Sequence, residues 1–422
     1  MSTPIRLNQA LARCSMRQAF GLIVVLASLV AAGSNLAAQT AGPASSATKW
    51  IDAWGASYLP TLVNGAVRNV PTFKSQTVRI AVFSRLGGFR ARVRFTNRFQ
   101  AAPLVIGAAH LAQAAAGGAI VPETDRVLAF GGAASVTIPP GAELWSDPVD
   151  LPVRQHGEVM VSLFLPEALK PTAFHAIGLK TSYLSAPGDH TGAVIMPPAE
   201  GSPTTTSVFF VSGIQVMAPA TAKVIVAFGD SITDGANSDL DSNTGWPELL
   251  SRRLPALADG TPVAVINMGI GSNRIVSADA AGPSGVHRFA DDVLSRPNVT
   301  HVIVFEGIND ISYEHASPGL LIGAYQDVIA RAHARGIKVY GATLLPIQNS
   351  TKDTPANEAT RQAVNRWIRT AQAYDAVIDF EKVVQDPKNP LRIRRDLTRD
   401  YVHPNTAGYR LLADSIDLEL FK

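Results

Sequence analysis

The sequence predicts an α/β fold in its C-terminal half, a doubly wound parallel sheet of five strands, preceded by an antiparallel β-sandwich. Three observations carry that reading. Between about Lys49 and Ala218 short β-like runs alternate with turn residues, and no long helical periodicity intervenes. After Pro219-Ala220 the pattern changes to apolar runs alternating with helical segments, as in a parallel sheet covered on both faces. Finally, Val224-Ile225-Val226-Ala227-Phe228 runs directly into Gly229-Asp230-Ser231, as a buried strand does when it ends at a turn.

Taken in order, the chain opens with Arg6, Arg13 and Arg17 ahead of an apolar run at 19–32, with small residues at 33–38. This is the layout of an export signal, and the run is too short for a spanning helix. Residues 1–38 are therefore expected to be a cleaved signal peptide and 39–48 a loose leader. The mature protein is expected outside the cytoplasm, periplasmic or secreted, with no stable membrane insertion. Removing 1–38 takes the basic count from 37 to 34 (37 − 3), against 34 acidic residues. A near-neutral protein lacks the basic footprint of a nucleic-acid binder. At 46% hydrophobic and 17% charged residues, wholesale disorder is excluded as well. The only cysteine, Cys14, would leave with the signal, so disulfides and cysteine chemistry leave with it.

The expected β-sandwich domain spans 49–218. The stretch Arg90-Ala91-Arg92-Val93-Arg94-Phe95 alternates as a half-buried strand, and further strands are expected at 76–83, 104–108, 135–138, 159–165 and 207–216. Gly87-Gly88, Gly131-Gly132 and Pro139-Pro140-Gly141 read as turns, and the Ala/Gly-rich stretch 112–119 as a loop insertion. In the second domain, 221–422, strands are expected at 224–228, 263–267, 301–305, 338–343 and 376–380. Helices are expected at 246–257, 286–294, 319–335, 356–374 and 405–420.

Four short blocks fall at the ends of these elements. They are Gly229-Asp230-Ser231, then Asn267-Met268-Gly269-Ile270-Gly271-Ser272-Asn273-Arg274, then Gly307-Ile308-Asn309-Asp310, then Asp400-Tyr401-Val402-His403-Pro404-Asn405. A serine hydroxyl is a weak nucleophile and needs an imidazole base held in one tautomer. Of the nine histidines, only His403 sits in a loop with an acid three residues before it. Asp400 and His403 on one turn can converge, Asp400 holding the ring and His403 facing Ser231.

In this order and topology the four blocks resemble the SGNH (GDSL-like) hydrolase superfamily over about 221–422. The resemblance implies a flavodoxin-like SGNH fold and a Ser231–His403–Asp400 triad. It also implies an oxyanion hole built from the Ser231 N–H, the Asn309 side chain and a backbone N–H of the second block. There the family usually has glycine five residues after the Asn; here that position is Ser272, with Gly271 just before it. A negative φ lets Ser272 donate without penalty, whereas a positive φ strains it. Either Ser272 or a shifted Gly271 supplies the donor. Further upstream, Trp50 to Ser57, the Arg-alternating strand, Thr124 to Phe130 and Ile138-Pro139-Pro140-Gly141 resemble the leading domain of the XynE-like branch. That resemblance points to carbohydrate acetyl esters as substrate.

Competing motifs are weaker. Arg274 stands where a Gly269-x-Gly271 dinucleotide fingerprint needs its third glycine. No Walker loop, His-Glu-x-x-His or Gly-x-Ser-x-Gly occurs. Asp230, Asp234, Asp239 and Asp241 lack EF-hand spacing. The expectation is an exported serine esterase cutting short-chain, chiefly acetyl, esters of small molecules or polysaccharides, with no metal and no cofactor. Two alternatives stand beside it: a carbohydrate-binding protein with an inactive hydrolase half, and an O-acyltransferase using the same triad. Pocket width depends on loops 236–244, 277–285 and 348–355, whose paths periodicity does not fix.

Overall fold

The computed structural model describes residues 47–63, 66–67, 70–254, 260–278 and 282–422. The expected signal peptide and nearly all of the expected leader lie outside them. The chain enters at strand Thr48–Gly55, which pairs antiparallel with Val211–Pro219; Ala91–Thr96 and Glu143–Trp145 complete a four-stranded sheet. A second antiparallel sheet has six strands. Its spatial order is Thr204–Thr205, Ser182–Pro187, Gln76–Phe83, Glu158–Leu165, Ala108–Gln113 and Arg126–Val127.

The strand expected at 207–216 runs instead at Val211–Pro219, the one expected at 104–108 breaks at Gly107 between Leu104–Ile106 and Ala108–Gln113, and the loop expected at 112–119 fails as such. Ala112 and Gln113 belong to strand Ala108–Gln113, and the insertion expected at 112–119 shrinks to a turn of 3-10 helix at Ala116–Gly118. Alanine has low strand propensity, but pairing overrides it. Ala112 lies opposite Met160 and Gln113 opposite Val159 of a central strand, and Ala112 is buried with Ala81 and Met160.

From Lys223 the expected parallel sheet follows, with strands Lys223–Gly229, Val263–Gly269, Val299–Phe305, Lys338–Ala342 and Ala376–Ile378. Their spatial order, second-first-third-fourth-fifth, reverses direction beside the first strand. Such a switch point is where α/β sheets open a crevice at the carboxyl ends of their strands. Val224 to Phe228 are wholly buried, which accounts for the unbroken apolar run.

Helices Trp246–Arg253, Gly285–Phe289, Pro318–His333, Pro355–Thr370 and Thr406–Ser415 lie near the expected spans, the tail of 246–257 falling outside the described residues. The fifth strand stops at Ile378 instead of 380, because Asp379 caps a short helix Phe380–Val384 by accepting from the Lys382 N–H. The last helix ends at Ser415, and a 3-10 turn, Leu418–Phe421, follows it. No helix among the described residues is long and apolar enough to cross a membrane.

The antiparallel and parallel parts share one hydrophobic core running from Ile51 to Phe421. Buried polar bonds cross between them. Arg296 pairs with Asp52 at 2.8 Å, Ser57 Oγ donates to Asp292 at 2.8 Å, and Arg85 pairs with Glu248.

Candidate active site

The first parallel strand turns at once into the four-residue helix Ser231–Asp234. Space demands glycine at 229: a Cβ there would lie 2.2 Å from Thr233 Oγ1 and 2.3 Å from the Phe305 carbonyl oxygen. Asp230 caps the helix, accepting from the Ile232 N–H at 2.9 Å. Its burial pushes the carboxyl up to about 6, against the Ile232 bond and the nearby His403 and Lys352 charges. This turn leaves Ser231 Oγ 2.9 Å from His403 Nε2.

The fourth block is a tight loop closed by the Thr398 Oγ1 bond to the His403 carbonyl, 2.8 Å. Asp400 Oδ1 accepts the N–H groups of Val402 (2.9 Å) and His403 (2.8 Å). Its Oδ2 accepts from His403 Nδ1 at 2.8 Å and from Asn237 Nδ2 at 3.1 Å. Burial opposes ionisation of Asp400, but the His403 ring and the backbone N–H groups outweigh it and hold the carboxyl well below the usual carboxylate range. An ionised Asp400 keeps the ring proton on Nδ1 and turns the Nε2 lone pair toward Ser231.

The second and third blocks are stitched together. Asp310 accepts from the Ile275 N–H at 3.0 Å and the Val276 N–H at 2.8 Å, and Asn309 Nδ2 donates to the Asn273 carbonyl at 3.0 Å. Ser272 has φ +66°, the strained case for a non-glycine residue, and is exposed. The Gly271 N–H is committed to Asp234 Oδ2 at 3.1 Å, and that of Asn273 to the Ile270 carbonyl at 3.1 Å. Within the described residues the Ser272 N–H makes no hydrogen bond. Of the two alternatives, Ser272 is the one with a donor to spare. Ser231, His403, Asp400, Asn309 and the Gly271-Ser272 turn thus gather at the carboxyl ends of the first three strands.

Three side chains at this site carry no signal in their sequence surroundings. Buried Arg288 donates to the carbonyls of Met268 (2.7 Å) and Gly229 (2.8 Å) and to Asn273 Oδ1 (2.6 Å), tying two strand ends to the second block. Lys352, from loop 348–355, reaches Asn309 Oδ1 at 3.0 Å. His175 comes from the antiparallel part: Nδ1–H donates to the Ser57 carbonyl at 2.9 Å, and Nε2 lies 3.3 Å from Asp234 Oδ1. Burial disfavours the His175 cation, but Asp234 outweighs that and raises its pKa. Two residues on, Ile177 packs so closely on Gly271 that a Cβ there would lie 2.7 Å from Ile177 Cδ1. Among the described residues no group of three or more His, Cys, Asp or Glu could hold a metal ion.

None of the curated proteins matches this chain. Among solved structures, the aryl esterase of M. smegmatis is 16% identical, covering 47% of this chain and 98% of its own, with TM-score 0.39. The acetyl xylan esterase AlAXEase is 28% identical, covering 46% and 96%, with TM-score 0.35. Est24, a carbohydrate acetylesterase from Sinorhizobium meliloti, is 16% identical, covering 47% and 98%, with TM-score 0.38. At the level of family, residues 227–411 match the GDSL-like lipase/acylhydrolase family, and with that segment the chain carries a carboxylic ester hydrolase domain.

Proposed function

We propose that this protein is an exported serine esterase that cleaves short-chain, chiefly acetyl, esters, with acetylated carbohydrate as the natural substrate class. The observation that carries the reading is the continuous relay Ser231 Oγ–His403 Nε2 and His403 Nδ1–Asp400 Oδ2, at 2.9 and 2.8 Å. In this reaction Ser231 Oγ attacks the ester carbonyl while His403 Nε2 takes its proton. The N–H groups of Ser231 and Ser272 and the Asn309 amide meet the oxyanion. His403 then protonates the leaving alcohol, and in the second half it deprotonates the water that frees the acid and Ser231. The residues themselves supply each proton transfer, so no metal or cofactor enters the scheme.

The short acyl preference is supported by the wall that the antiparallel part contributes, Ile177 on Gly271 and Leu179 on Gly235. The carbohydrate class rests on the XynE-like character of segments such as Trp50 to Ser57. The two antiparallel sheets are read as the layers of one sandwich. Export rests on the basic residues and apolar run of 1–38. The test is a hydrolysis panel from 4-nitrophenyl acetate to long-chain esters and acetylated xylan, with and without an alcohol acceptor. Acetate release that outpaces octanoate release and depends on Ser231 is expected. Faster turnover of the long chain, or acyl transfer that replaces hydrolysis, contradicts the proposal.

A further inference from the structure

Lys352 is an ammonium in an unusual setting. Only 7% of the residue is exposed, yet no carboxylate among the described residues lies within ion-pair distance of it. Its polar partner is Asn309 Oδ1 at 3.0 Å, and its Nζ sits 4.2 Å from the centre of the Tyr313 ring. The backbone around it is built to hold that position. The Lys352 N–H donates to Ser350 Oγ at 3.1 Å, and the Lys352 carbonyl accepts from Asn357 Nδ2 at 2.9 Å. Its charge is felt at the buried Asp230 carboxyl but makes no direct ion pair, and an ammonium so little solvated costs free energy that a use has to offset.

The chemistry of Asn309 shows that use. An ammonium can only donate and a carbonyl can only accept. Lys352 therefore requires the oxygen of the Asn309 amide on its side, and the Asn273 carbonyl, 3.0 Å from Nδ2, requires the nitrogen on the other. The amide is locked at both ends, and one N–H of Nδ2 is left over. A cation on the amide oxygen also draws electron density away from the nitrogen, which makes that N–H a stronger donor.

We infer that Lys352 is a positioning residue of the oxyanion site, which locks the Asn309 amide and strengthens its free N–H in the transition state. The inference rests on the proposed role of Asn309 as an oxyanion donor. It assigns a function to loop 348–355 that neither the triad nor the four sequence blocks contain.

A double-mutant cycle tests it. Wild type, Lys352→Met, Asn309→Ala and the double variant are compared in hydrolysis of 4-nitrophenyl acetate, with turnover normalised by fluorophosphonate titration of active sites. Methionine keeps the length of the stem and removes the charge. Asn309→Ala is expected to lower kcat by ~10²–10³-fold, the usual loss of one oxyanion donor, and Lys352→Met by about 10–100-fold with KM nearly unchanged. Because Lys352 acts through Asn309, the double variant should be no slower than Asn309→Ala to within about threefold. Lys352→Arg, which keeps a cation, should recover part of the Met loss. Losses that multiply in the double variant, or a Lys352→Met enzyme with wild-type kcat, overturn the inference while leaving the triad reading intact. A silent Asn309→Ala overturns the oxyanion reading and the inference with it. Turnover that survives Ser231→Ala removes the triad reading, and this inference falls with it.

Discussion

At the scale of single residues, the second block holds the least ordinary backbone of the site. Ser272 adopts φ +66°, where a Cβ costs about 1–2 kcal/mol that glycine avoids. Its N–H faces no competitor, whereas that of Gly271 is engaged by Asp234. Ser272→Gly should therefore keep most of the activity and raise stability by about 1 kcal/mol, read as a higher urea midpoint at unchanged slope. Ser272→Pro removes the donor and should cost ~10²–10³-fold in kcat, while Ser272→Ala, with the N–H kept, should not. Equal losses in the alanine and proline variants would return the role to Gly271. Ser231, Asn309, Asp400 and His403 were legible in the sequence because each sits in a compact block just past an element end. Arg288, Lys352 and His175 were not, since each joins the site through long-range contacts that no local spacing encodes.

At the scale of elements, the ends of the parallel strands hold a cluster of buried acids. Burial pushes the Glu306 carboxyl from 4.5 up to about 8, against the pull of Arg288, with Asp230 and Asp310 adding to the rise. The sign of the pH effect follows. The folded state binds this proton more tightly than the unfolded chain, so the contribution to stability is full below about 4.5 and is lost as pH rises toward about 8. Glu306→Gln should remove that slope, so that its stability advantage over wild type grows between pH 5 and 8 by up to roughly 1.4 kcal/mol per pH unit. Urea midpoints at several pH values read this directly; parallel curves for the two proteins would contradict it. The strands themselves were legible because buried parallel strands are unbroken apolar runs. Strand Ala108–Gln113 was hidden in part because alanines signal neither strand nor core, and pairing with Glu158–Leu165 on one side and Arg126–Val127 on the other keeps it extended.

At the scale of the molecule, the change in sequence grammar near Pro219 marks where antiparallel strands give way to the parallel sheet. What the sequence conceals is how closely the two parts are joined. Asp52 and Arg296 are buried against each other across that division, and Gln215 Nε2 donates to Asp52 at 2.9 Å. Asp52→Ala strands the Arg296 charge and should cost about 3–5 kcal/mol. Because the core is continuous, that loss should lower one shared transition, not that of the antiparallel part alone. Tryptophan fluorescence reports on both parts, through Trp50, Trp54 and Trp145 in the one and Trp246 and Trp367 in the other, and esterase activity reports on the parallel part alone. Coincident midpoints are expected in both proteins; activity that outlasts the fluorescence transition would show two independent units.

The claim on which the rest depends is that Ser231 is the nucleophile and His403 its base. The most direct measurement is peptide mapping by mass spectrometry after treatment with a fluorophosphonate. Stoichiometric labelling of Ser231 alone is expected, falling by about 10³-fold or more in rate when His403 is replaced by alanine, as befits a serine that has lost its base. Label on another serine, or undiminished labelling of Ser231 in His403→Ala, would contradict it.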